Sequence, residues 1–176
     1  MKIWLRPQVR STLKYLWILS LLLLIWQGYT SYSRLSERLA THFDASGNPN
    51  GWSSREGFFR LWYLTIFGMN AAWLLALALT PRMLRSRFRR TVNIPNKDYW
   101  LATDERIEQY ARLSNTLVFG ISFLINILFA AIYHSIIQSN IETRLHIGMW
   151  GIYVPAGIIL AFTLIYMLTA FRKPAE

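Results

Sequence analysis

An all-α integral membrane protein with four transmembrane helices and a cytoplasmic N- and C-terminus is the fold class this sequence predicts, on three observations. Four apolar runs each approach or exceed the ~20 residues that a helix needs to cross a bilayer. Only 16% of the chain is charged and 53% is hydrophobic, against ~25% charged in an ordinary soluble domain. The basic residues are also unevenly placed. Fourteen of the nineteen Lys and Arg fall before the first run, in residues 82–112, or in the tail; Arg34, Arg38, Arg55 and Arg144 fall on the other side, and Arg60 lies inside a run. That asymmetry puts the termini and the long basic loop in the cytoplasm. It also accounts for the net charge of +10 without a nucleic acid partner.

The first span covers about residues 13–32. Lys2, Arg6 and Arg10 before it and Lys14 at its start resemble the basic region of a secretory signal, but no small-x-small cleavage site follows, which predicts an uncleaved helix. Trp17 toward one end and Trp26, Tyr29 and Tyr32 toward the other suit the two interfacial belts. An outward loop, 33–57, leads to the second span at about 58–79. Gly68, Ala72 and Ala76 lie four apart there, a stripe that predicts close helix approach. Pro81 is expected to end the helix.

A basic cytoplasmic loop, 81–112, follows. It opens with Arg82, Arg85, Arg87, Arg89 and Arg90, a cluster suited to anionic lipid headgroups or to an acidic cytoplasmic protein partner. Thr103 reads as an N-cap, with Asp104 and Glu105 in the first turn where the helix dipole favours acids. The third span, about 113–137, carries Ser122, Asn126, Ala130 and His134 at four-residue spacing. The fourth, about 147–170, begins among Trp150 and Tyr153, and Arg172 and Lys173 lie beyond its end. The whole chain, 1–176, reads as one four-helix membrane domain.

Lipid burial does not explain the residues of the outward loop from Leu35 to Trp52. Leu35 and Leu39 sit four apart with Glu37 and Arg38 between them, which predicts a helical start. Asp44, Ser46, Gly47, Asn48, Pro49, Asn50 and Gly51 then form a dense turn cluster. His42 and Phe43 on one side and Trp52 on the other bracket it, so the segment reads as a recognition surface or as an elaborate connector.

Two segments resemble a known family. Leu35-x-Glu-x-Leu-x-Thr-His-Phe-Asp-x-x-Gly-Asn-Pro-Asn-Gly-Trp52 resembles the signature of bacterial membrane proteins typified by the immunity protein against the sporulation-delaying SDP toxin. Asn93-Ile-Pro-Asn-Lys-Asp-Tyr-Trp-Leu101 resembles a companion motif, in which Asn93, Pro95, Asn96, Tyr99 and Trp100 stand out. Ser36 and Ala40 replace prolines that are usual in the family, which implies a more helical segment here. The resemblance implies a multi-span protein of the bacterial cytoplasmic (inner) membrane; toxin immunity does not follow from it alone.

Other chemistry finds less support. Asp44, Ser46, Asn48 and Asn50 alternate like calcium ligands, but the sixth loop position is Pro49 and the twelfth is Arg55, where an EF-hand needs Gly and Glu. A hydrogen-bonded turn is the better reading. His42, His134 and His146 show no metal-binding spacing, no G-x-S-x-G is present, and the absence of cysteine excludes thiolate chemistry. No cofactor, metal or catalytic site is expected. Asn70, Asn126 and His134 are the polar groups in or near the spans. They suit interhelical hydrogen bonds, or a small-solute or proton path.

The function these features predict is non-enzymatic: recognition of a peptide toxin or envelope ligand outside by His42, Phe43, Asp44, Gly47, Asn48, Pro49 and Trp52, or signalling to a partner inside. A small transporter or channel subunit built as a homo-oligomer, and a structural accessory subunit of a membrane complex, are the alternatives.

Overall fold

The computed structural model describes residues 3–142 and 145–172. Lys2, Arg144 and Lys173, which enter the charge asymmetry, lie outside the described residues, as does the side chain of Arg90. The elements are α1 (Pro7–Ser31), β1 (Arg38–Phe43), β2 (Pro49–Ser54), α2 (Arg55–Arg85), α3 (Lys97–Trp100), α4 (Asp104–Ile141) and α5 (Trp150–Ala170). Short 3-10 turns at Tyr32–Arg34 and Arg87–Arg90 follow α1 and α2. Helices α1, α2, α4 and α5 are each long and apolar enough to cross a bilayer. The protein is an all-α, multi-pass membrane protein with one small hairpin added.

The helix ends follow local chemistry. Pro7 opens α1, where its missing N–H has no helical partner to lose. The Ser54 hydroxyl caps α2 by accepting from the Gly57 N–H at 3.0 Å, and the Thr103 hydroxyl caps α4 by accepting from Arg106 N–H at 3.3 Å. Pro81 does not end α2, contrary to expectation; the helix runs on to Arg85. Proline frees one carbonyl in the preceding turn, a loss that spanning helices tolerate when nearby side chains re-bond the backbone. The carbonyl freed here is that of Leu77; on either side of it the Thr80 hydroxyl donates to the Ala76 carbonyl at 2.8 Å and Arg82 to that of Ala78 at 2.9 Å.

Helix α4 is the axis of the bundle and packs against α1, α2 and α5. At 38 residues it is about 57 Å long, well beyond the ~30 Å hydrocarbon core, so it reaches into a packed cluster at each end. At the hairpin end, Leu24, Leu35, Leu39, Phe59, Trp62 and Ile136 close together, and the Trp62 and Tyr133 rings stack with centroids 4.0 Å apart. At the basic end, Leu84, Trp100, Ile107, Leu113, Tyr166 and Phe171 form the second cluster. Between the clusters much of the apolar surface of α1, α2 and α5 points outward, as a lipid-facing surface does.

Two packing expectations are corrected. Gly68 has nothing within 4 Å of where a Cβ would stand, and Ala72 is exposed, so that stripe does not face a neighbouring helix. Small residues permit close approach but do not cause it. The close contacts occur instead at Gly28, where a Cβ would lie 2.8 Å from the Tyr63 hydroxyl, and at Gly120, where it would collide with the Phe162 ring. Trp17 is also not an interfacial anchor. Because α1 begins at Pro7, Trp17 falls near its middle and is buried.

Candidate functional site: a pinned hairpin over the bundle

The segment from Arg38 to Ser54 is an antiparallel hairpin, and the expected helical start is wrong. Its register pairs Arg38 with Ser54, Leu39 with Ser53, Ala40 with Trp52, His42 with Gly51 and Phe43 with Pro49, with irregularities either side of His42. Two short runs flanking a Gly- and Asn-containing turn are a hairpin signal, and the four-residue Leu35–Leu39 spacing obscures it. Both leucines are buried in the hairpin-end cluster, but an extended chain brings them there.

The turn is closed by Asp44. Its N–H donates to the Asn48 carbonyl at 2.8 Å and its carbonyl accepts from Gly47 N–H at 2.9 Å. One carboxylate oxygen accepts from the N–H groups of Ser46 and Asn48, at 2.8 and 3.0 Å. This is an Asx-type turn, with the carboxylate committed to backbone donors. Gly47 has φ +84°, a conformation that favours glycine, and a Cβ there would strike the Ile147 carbonyl.

Three parts of the bundle hold the hairpin. Ile147 N–H donates to the Gly47 carbonyl at 3.1 Å. His146 Nε2 lies 3.0 Å from the Ser46 carbonyl; because a carbonyl only accepts, this nitrogen carries the proton. On α2, the Arg55 guanidinium donates to the Leu35 carbonyl at 2.8 Å and its backbone N–H to that of Glu37 at 2.9 Å, with the guanidinium 4.8 Å from the Tyr32 ring centre. On α4, the Asn140 side chain accepts from Ala40 N–H and donates to the Ala40 carbonyl, both at 2.9 Å. Asn140 thereby occupies the open edge of β1, where unpaired backbone groups otherwise invite another strand.

What remains on the open face is specific. Trp52 is 45% exposed and the Arg38 guanidinium lies 5.5 Å from its ring centre. His42, Asn48 and Asn50 are exposed. His42 does not bond the turn that follows; its Nδ1 is 3.1 Å from the Thr41 hydroxyl. Phe43 packs against the hairpin-end cluster, Pro49 is half-buried, and Asp44 and Gly47 shape the turn. Sequence reasoning missed Asn140, Arg55 and His146 as supports, because their partners are backbone groups distant in the chain.

The second motif lies at the other end. Asn96, at φ +51°, donates from its amide to the Phe171 carbonyl at 3.1 Å, and the fully buried Trp100 donates to the same carbonyl at 3.3 Å. They cap the C-terminus of α5. Tyr99 lies under the Arg106 guanidinium, 4.3 Å away, while Asn93 and Pro95 are exposed.

The intramembrane polar residues divide. Asn70 and Asn126 meet near the middle of the bundle, with their amides bonded at 3.2 and 3.3 Å. Trp17 donates to Asn70 at 2.6 Å and Asn126 to the Ser20 hydroxyl at 3.0 Å. One network thus fastens α1, α2 and α4. His134 stands apart and exposed. Among the described residues, no three His, Cys, Asp or Glu side chains converge as a metal site would require.

Residues 18–66 match a family described as Domain of unknown function (DUF1648). The matched stretch runs from the middle of α1 through the whole hairpin to Ile66 in α2, so the similarity covers the hairpin and the parts of α1 and α2 that flank it. No curated protein and no solved structure matches the chain.

Proposed function

We propose that the hairpin is a preformed recognition surface on the outside of a bacterial cytoplasmic membrane, docking a peptide toxin or other envelope ligand without enzymatic chemistry, as the resemblance to the SDP-immunity class suggests. The observation that carries this reading is an exposed Trp52, with Arg38 over its ring, on a hairpin pinned by α2, α4 and the α4–α5 connector. A pinned loop has little ordering left to lose on binding, and Trp and Arg are the side chains that most often dominate an interface. The charge asymmetry supports the outward placement. The polar groups at mid-depth bond one another, which favours fastening of helices over a conduction path.

The test expresses Trp52→Ala, Arg38→Ala and His42→Ala in a toxin-sensitive host. Membrane abundance, melting temperature in detergent and survival under toxin are measured together. Lost survival at unchanged abundance and melting temperature supports recognition. Full survival in all three variants, or survival that merely tracks abundance, contradicts it.

A further inference from the structure

A second site lies on the side of the bundle, below the hairpin. The α1 and α4 helices part near that end to leave a groove of about 390 Å³. Arg34, His134 and Gln138 line it. Among the described residues, none of these three side chains has a hydrogen-bond or ion-pair partner, and no acidic residue lines the groove. His134 stands about 12 Å along α4 from Asn126, which marks mid-depth through its bond to Asn70, the central residue of α2. The groove therefore lies near the edge of a ~30 Å hydrocarbon core. Arg34 and His134 are exposed there and Gln138 is half-buried, so a cation and two polar side chains stand together at the membrane edge, open to an anionic ligand.

The geometry points to a single phospholipid with a net-negative headgroup as that ligand, its phosphodiester held by Arg34, His134 and Gln138. Charge complementarity selects the headgroup, because the guanidinium faces no carboxylate in the groove. The surface below selects a lipid over a soluble anion. Leu19, Leu23 and Trp26 are exposed on one stripe of α1, at the i, i+4 and i+7 spacing of a single helix face. That stripe leads from the groove toward mid-bilayer and offers a track for one acyl chain. The inference is independent of what the hairpin binds.

Native mass spectrometry of the full chain in detergent tests it, with phosphatidylglycerol, phosphatidylcholine and soluble glycerol phosphate as the probes. One phosphatidylglycerol should bind in preference to phosphatidylcholine, and Arg34→Gln should weaken it about fivefold, the equivalent of ~1 kcal/mol for one cation near the surface. Gln138→Leu, which leaves the charge unchanged, should also weaken binding. Arg60→Gln, an exposed cation on α2 in the half of the bundle that carries the hairpin, should not. Equal binding of the two lipids, equal loss from Arg34→Gln and Arg60→Gln, no loss from Gln138→Leu, or displacement of the lipid by glycerol phosphate would each overturn the proposal.

Discussion

Ala40 in β1 and Asn140 near the end of α4 exchange two hydrogen bonds of 2.9 Å across a hundred residues of sequence. A side-chain amide carries the same donor and acceptor as a peptide group, so Asn140 serves β1 as one residue of a missing neighbouring strand. A proline at position 40 would have no N–H to give. The pairing with Asn140 therefore depends on a residue with a backbone N–H at that position.

Asn140→Ala should therefore lower stability by about 1–3 kcal/mol, since it leaves both backbone groups of Ala40 unpaired. Ala40→Pro removes one bond and should cost less. The two changes act on one interaction, so the double variant should be less destabilised than the sum of the singles. Melting of all four proteins in detergent gives the comparison; strict additivity would mean that the residues do not interact.

Gly28→Leu and Gly120→Leu should each destabilise by about 1–3 kcal/mol through overpacking, because Tyr63 and Phe162 occupy the space a side chain would need. Gly68→Leu should leave the melting temperature unchanged, since nothing stands against it. A fall for Gly68→Leu alone would show that this face meets a partner, such as a second copy.

Asn126→Leu should leave Asn70 and Ser20 short of partners and loosen three helices at once. Membrane hydrogen bonds average ~0.6 kcal/mol each, so a loss of about 1–2 kcal/mol is expected, with the hairpin unaffected. The readout is detergent melting together with accessibility of a cysteine introduced at Asn48.

Topology is tested by reporter fusions. One placed after Trp52 should report the outside and one after Asn96 the cytoplasm. A cytoplasmic signal after Trp52 would reverse the orientation and remove the hairpin from any external ligand.

The spans were legible because lipid enforces a run of apolar residues whatever the neighbours are, and the Thr103 cap because it acts within three residues. The hairpin was hidden because Leu35 and Leu39 fit a helix as well as an extended chain entering a core. The packing of α2 was hidden for a different reason: in lipid, an apolar face gains little by turning inward, so Gly68 and Ala72 carry no directional signal while Gly28 and Gly120 draw theirs from Tyr63 and Phe162. The site residues His42 and Trp52 were legible as an unusual cluster. Asn140, Arg55 and His146 were not, since a side chain that serves a distant backbone leaves no local pattern.

The central claim is that the hairpin is formed before any ligand arrives, and hydrogen exchange of the protein in lipid nanodiscs, without ligand, tests it most directly. The account predicts slow exchange at the Ala40, Gly47 and Asn48 amides, which donate to Asn140, Asp44 and Asp44 respectively, with Ala40 released in Asn140→Ala. Exchange of all three at the rate of an unstructured peptide would contradict it.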